Sequence, residues 1–249
     1  MSNFTTWRSL VDGEDIFAIP DSGLFYHVDA TDTSTITESN GDVTTWEDIS
    51  GNNRDFEGIA SSYDNDAFAN GNHGVYFDFD SMDNAFTGVS YPVTFCMVVR
   101  IENPDTTGNF EGYIRSVNDE RNTVFLADTP SNNNRLSFVD DDASLYCTSS
   151  YDPFSSLPFE AIMTVEFTDG ESNNQRIRVN GDTKATDTET NITSSIDGGI
   201  NLGETVAGND NDLKGTYVGE YLMYDRLLNS SEVNSLESTL ADKWGIPLA

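Results

Sequence analysis

The chain reads as a succession of short apolar runs separated by clusters of Gly, Asn, Asp and Ser. Ten of these runs are rich in β-branched and aromatic residues and predict strands: 25–29, 74–79, 93–101, 113–117, 123–126, 135–139, 161–167, 175–179, 200–202 and 216–224. Strands at this spacing, with turn residues between them, predict an antiparallel sandwich. Val179-Asn180-Gly181-Asp182-Thr183 is the sharpest local signal. Asn-Gly tolerates the two positive φ angles of a type I′ hairpin turn.

One segment has helical periodicity. Val233, Leu236, Leu240 and Trp244 fall on one helical face. Asn229 stands where an N-cap belongs, with Glu232 three residues on as its capping-box partner, and Gly245 followed by Pro247 ends the helix. Residues 1–20 carry Trp7, Leu10, Val11, Ile16, Phe17 and Ile19 outside the strand pattern. Such an aromatic segment predicts an arm that packs on the domain or on a neighbouring subunit.

Charge changes the picture more than composition does. The chain has 249 residues, with 43 acidic side chains against 12 basic ones and a net charge of -31. That balance excludes a polyanion such as DNA or RNA as partner, because phosphate binding needs clustered Lys and Arg. No apolar run approaches the ~20 residues that span a bilayer, and no export signal is visible in residues 1–20. Asp outnumbers Glu, and Lys is nearly absent: Lys184, Lys214 and Lys243 are the only three. This composition predicts a protein kept in molar salt, where the Debye length falls to about 3 Å and self-repulsion is screened.

Candidate chemistry is thin. The two histidines, His27 and His73, and the two cysteines, Cys96 and Cys147, lack metal-ligand spacing or a nucleophile motif. Cys96 and Cys147 are expected to be buried thiols, with a single bridge between them left open. His27, within a strand pattern, is expected to be a packed or edge residue rather than a base. Alternation along Asp78-Phe79-Asp80 would place the two carboxylates on one face.

Three stretches carry a resemblance. They are Gly23 to Asp32, the Trp46-Glu47-Asp48-Ile49-Ser50-Gly51-Asn52 segment with the Val75-Tyr76-Phe77-Asp78 strand after it, and the ending Gly219-Glu220-Tyr221-Leu222-Met223-Tyr224-Asp225-Arg226-Leu227-Leu228-Asn229-Ser230-Ser231-Glu232. Together they resemble the concanavalin A-like lectin/glucanase superfamily in its laminin-G-like branch, over residues 23–246. The resemblance implies an all-β, two-sheet antiparallel jelly-roll sandwich with a short C-terminal α-helix. It divides the chain into an N-terminal arm, 1–22, for assembly contacts and a jelly-roll domain, 23–249. Trp46, Asp48, Tyr224, Asp225, Arg226 and Trp244 are then scaffold, with Tyr224 to Arg226 tying the last strand to the helix.

Glucanases of this fold use an E-x-D-x-(x)-E strand. Asp78 and Asp80 would occupy it with shorter side chains on an ordinary scaffold strand, so no enzymatic activity is expected. Laminin-G-like modules hold calcium at the sandwich rim, and the acidic clusters nominate Asp140, Asp142, Asp210 and Asp212 as calcium candidates. Such sandwiches serve in adhesion and glycan recognition, and they occur as decoration, turret and tail-fibre domains of virions. The expectation is therefore a structural and adhesive virion protein of a virus of halophilic archaea. Its partners would be other virion subunits, itself in a homo-oligomer, and a host surface glycan. A carbohydrate-binding or adhesion module of a halophilic cell surface is the alternative.

Overall fold

In the computed structural model the apolar runs pair side by side and antiparallel, each turning one row of side chains toward a shared interior. The structure describes residues 19–84, 86, 88–90, 92–104, 110–116, 124–128, 136–140, 144–149, 151–152, 155–167, 175–187, 196, 198–203 and 213–249. Among these, the strands in chain order are β1 (Leu24–Asp29), β2 (Ile36–Ser39), β3 (Asp42–Trp46), β4 (Phe56–Ala60), β5 (Ser62–Asp64), β6 (Gly74–Asn84), β7 (Val93–Ile101) and β8 (Phe110–Ser116). They continue with β9 (Val124–Asp128), β10 (Leu136–Asp140), β11 (Ser144–Thr148), β12 (Phe159–Phe167), β13 (Gln175–Val179), β14 (Asp182–Asp187), β15 (Ile200–Leu202) and β16 (Leu213–Tyr224). One helix, α1 (Ser230–Trp244), follows.

One sheet runs β5, β6, β16, β7, β12, β13, β14, with β1 taking over the free edge of β16 beyond β6. The second runs β2, β3, β4, β6, β15, β8, β9, β10, β11. Strand β6 belongs to both. Up to Asp80 it pairs with β5 and β16, and from Ser81 it pairs with β4 and β15. The architecture is the predicted jelly-roll sandwich with one C-terminal helix.

Two cores hold it together. The inner one lies between the sheets, where Tyr26 meets Phe56 and Tyr221 edge-on at 5.4 and 5.0 Å between ring centres. The second forms where α1 covers the outer face of the first sheet. Val233, Leu236, Leu240 and Trp244 pack over Cys96, Val98, Ile162 and Leu222, so the predicted helical stripe is the buried one. This explains why β7 is apolar on both faces: Val99 and Met97 point inward, Val98 and Cys96 toward the helix.

Local signals place the connections. Asn180 (φ 49°) and Gly181 (φ 83°) form the expected hairpin between β13 and β14. Asn229 Oδ1 accepts from the Ser231 and Glu232 backbone N–H groups at 2.9 and 3.1 Å, and Glu232 Oε2 accepts from Asn229 N–H at 2.8 Å. Gly245 (φ 68°) ends the helix in the left-handed region. Arg178 on β13 fastens the helix through two bonds to the buried Glu237, at 2.9 and 2.7 Å. Replacing Asn229 by Ala removes the cap but leaves Glu232 paired with Arg226. We expect a loss of about 1 kcal/mol, read by calorimetry as a midpoint about 2–4 °C lower.

The resemblance had Tyr224, Asp225 and Arg226 joining strand to helix by an ion pair. Arg226 makes that pair with Glu232, through bonds of 2.7 and 2.9 Å. Asp225 contributes its backbone N–H to Gly23, while Tyr224 is buried in the helix-side core. The last residues of the expected arm are fixed to the domain as well. Ile19 packs on the helix-side core, and the Ser22 carbonyl accepts from Arg226 Nε at 2.8 Å. Residues 1–18, with Trp7, Leu10, Val11, Ile16 and Phe17, lie outside the described residues.

Candidate functional site

Alternation along β6 fails at Phe79, the residue between the two candidate carboxylates. Phe79 has φ 64°, the register with β16 shifts there, and the strand turns from one sheet into the other. Asp78 is left exposed on the outer face. Asp80 is half-buried at the corner, where its Oδ2 accepts from Ser61 Oγ and from the Asp78 backbone N–H. Of the two carboxylates with catalytic spacing in sequence, one is thus in solvent and the other is committed to hydrogen bonds at a strand corner. Glu166 is nearly buried and paired with Arg176 across β12 and β13. A groove of about 500 Å³ beside the C-terminal end of α1 offers one carboxylate, Asp242.

Of the calcium candidates, Asp140 closes β10 opposite Ser144, with its side chain outside the described set, and Asp142, Asp210 and Asp212 also lie outside it. Among the described residues no group of three or more His, Cys, Asp or Glu side chains is arranged to hold a metal ion. Cys96 is a free thiol under the helix, 3.4 Å from Thr164 Oγ1, and burial pushes its pKa up, which makes it a poor nucleophile. Cys147 lies on β11 opposite Phe138, its side chain outside the described set.

One buried cluster of charges is structural. Glu220 on β16 is fully buried and accepts from Lys243 Nζ (2.6 Å) and Trp244 Nε1 (2.7 Å), and its Oε1 lies 2.7 Å from His27 Nε2. Lys243 also donates to Asp29 Oδ2 at 2.6 Å. Burial alone would push the Glu220 carboxyl up. The Lys243 charge and the His27 contact outweigh it and hold the pKa at about 2. Asp48 organises the neighbouring turn, accepting from the backbone N–H groups of His27, Ser50 and Arg54. His27, Asp48 and Trp244 are scaffold, as expected. Nothing in the sequence marks Lys243 for this role except its placement one residue before Trp244 on the helix.

A different set of side chains faces solvent. On the outer face of the first sheet Tyr76 and Tyr217 are cross-strand partners with ring centres 4.7 Å apart, and Tyr217 Oη donates to Asp64 at 3.3 Å. Burial, then the charge of Asp64, pushes the Tyr217 hydroxyl up to about 12. Burial, then the charges of Asp78 and Glu102, also raises that of Tyr76. Both hydroxyls therefore remain protonated donors across the neutral range.

No protein-family model matches the sequence, and no curated protein matches it. Solved structures do. The chain is similar to a botulinum neurotoxin serotype D/C binding domain, with a TM-score of 0.65 and 13% identity, covering 88% of this chain and 53% of that one. It is similar to a structure described as a receptor binding domain, with a TM-score of 0.62 and 14% identity over 88% of this chain and 51% of that one. Trypanosoma rangeli sialidase matches at a TM-score of 0.61 and 17% identity, over 91% of this chain and 34% of the sialidase. These likenesses establish a shared β-sandwich fold. The chain spans about a third of the sialidases and about half of the binding domains it matches.

Proposed function

We propose that this is a non-enzymatic adhesive domain of the laminin-G-like, concanavalin A-like kind, serving in a virion of a virus that infects halophilic archaea and recognising a glycan on the host surface. The observation that carries the reading is the corner at Phe79. It leaves Asp78 in solvent and ties the Asp80 carboxylate to Ser61 and to the Asp78 backbone, within a fold shared with a binding domain and a receptor binding domain. A glucanase of the two-carboxylate kind needs both groups directed at one bond. In this reading residues 1–22 contact neighbouring virion subunits, including further copies of the chain. The net charge of -31 fits a particle that persists in concentrated salt.

The decisive measurement is binding of the purified protein to intact haloarchaeal cells in about 3 M KCl, a salt at which surface charges are screened. Saturable binding competed by surface glycans is the expected result. Absence of binding overturns the adhesive reading, and hydrolysis of a polysaccharide overturns the non-enzymatic one. The salt reading has its own test. We expect the unfolding midpoint to climb steeply between about 0.1 and 1 M KCl, as the Debye length falls from about 10 to 3 Å. A flat midpoint would separate the acidity from any saline habitat.

A further inference from the structure

Among the described residues other than glycine, positive φ occurs at three asparagines, which tolerate it, and at Phe79. A φ of 64° is comfortable for glycine and uncommon for an aromatic residue, whose Cβ crowds the following carbonyl. Among the described residues glycine already has positive φ at eleven other positions, so the chain supplies it readily where a turn requires it. Phe79 gains little burial in exchange, remaining 44% exposed. A strained residue whose ring is held in water points to a use for the ring beyond folding.

The surroundings define that use. Lys214 Nζ stands 4.9 Å from the centre of the Phe79 ring. Lys184 and Lys243 are in ion pairs, whereas Lys214 has no carboxylate within 4 Å among the described residues, although Asp78 is its cross-strand neighbour. Asp78 is exposed, and no described residue donates to its carboxylate. Beyond it on the same outer face are the half-buried rings of Tyr76 and Tyr217. Aromatic faces therefore alternate with an ammonium donor and a carboxylate acceptor that have no ion-pair partner among the described residues, along the corner where β6 changes sheets.

We propose that this strip, Phe79, Lys214, Asp78, Tyr76 and Tyr217, binds a neutral pyranose unit of a glycan, with the C–H face of the sugar on the Phe79 ring and its hydroxyls bonded to Asp78 and Lys214. The proposal rests on the adhesive reading above and gives it a location and a ligand class. Neutrality follows from charge. Arg100, the cross-strand neighbour of Tyr217, is paired with Glu102 and Glu160, so Lys214 is the cation left for a ligand, and a carboxylated sugar seated on the strip would meet Asp78 and Asp64 at short range, where salt screens least. Carboxylate acceptors suit the hydroxyl donors of an uncharged sugar. A protein partner would favour a continuous apolar patch, and here charged groups interrupt the rings.

The test uses labelled full-length protein on an immobilised panel of glucose-, mannose- and galactose-based neutral oligosaccharides and their carboxylated counterparts, in about 3 M KCl. We expect the wild type to bind one or more neutral members in preference to the carboxylated ones. Phe79→Gly should weaken that binding by about tenfold or more while the unfolding midpoint stays within about 3 °C of the wild type, because relief of strain offsets the lost contact with Lys214. Lys214→Gln, a change at a half-exposed position, should weaken binding without altering the fold. Wild-type binding that both variants retain overturns the location and leaves the adhesive reading standing. Preference for carboxylated sugars overturns the ligand class. No binding to any glycan here or on whole cells, or binding only to a cell-surface protein, removes the glycan reading itself.

Discussion

Replacing Lys243 by Met should destabilise the domain by about 3–5 kcal/mol, the usual effect of stripping a buried charge of its partner. Glu220 has no access to water, and Lys243 is the one lysine among its three donors. Loss of the ammonium leaves the carboxylate with His27 and Trp244, and Asp29 loses its bond as well. Urea unfolding in concentrated KCl, followed by circular dichroism, reads the loss as a lower midpoint with an unchanged slope. A change below about 1 kcal/mol would mean that the cluster behaves like an exposed ion pair.

The same cluster sets the response to acid. Glu220 is held at about 2 against an ordinary value of 4.5, so its folded pKa is depressed. Its contribution is therefore complete above pH 4.5 and disappears as pH falls through about 2. The interval corresponds to about 3 kcal/mol. In the Lys243→Met variant the force holding the carboxyl down is weakened, burial pushes the pKa up, and acid unfolding should begin at a higher pH than in the wild type. The alkaline side has the opposite sign. Burial lowers the Lys243 pKa, but Glu220 and Asp29 raise it more. Its contribution is complete below 10.5 and is lost as pH rises through the elevated folded value.

Features encoded by neighbours in sequence were legible before the structure. The Asn229–Glu232 capping box, the Asn180-Gly181 turn and the stripe from Val233 to Trp244 each depend on residues a few positions apart, and each stands where the pattern put it. The boundaries of β7, Val93–Ile101, were readable because both its faces are buried and the apolar run is unbroken. Strands β2, β4 and β5 gave no such run, since they are short and mostly exposed or half-exposed. The Glu220 cluster was illegible for a different reason. His27 and Glu220 are 193 residues apart, and Asp29 and Lys243 are 214 apart, distances over which no periodicity operates. Phe79 illustrates a third limit. An aromatic residue between two aspartates reads as ordinary alternation, and nothing in its type announces the positive φ that turns β6 from one sheet into the other.

Trp244→Ala should cost about 3–5 kcal/mol, as deletion of a fully buried indole does elsewhere. Its effect should be coupled to a change at Gly219. A Cβ added at Gly219 would lie 2.5 and 2.6 Å from Trp244 Cη2 and Cζ3 and 3.0 Å from Phe68 Cε2, so this glycine is required for space under the indole. Gly219→Ala alone should cost about 1–3 kcal/mol by overpacking. In the double variant the added methyl enters the volume that the indole vacated, so the combined loss should be no greater than that of Trp244→Ala alone. The indole also donates to Glu220 at 2.7 Å, so Trp244→Phe separates the two roles: the ring is largely kept and the bond is lost. We expect Trp244→Phe to fall between the wild type and Trp244→Ala. If instead the Gly219→Ala and Trp244→Ala losses add in full, the helix is not seated against β16 through this contact, and the helix-side core must be held by Leu236, Leu240 and the Arg178–Glu237 pair without it.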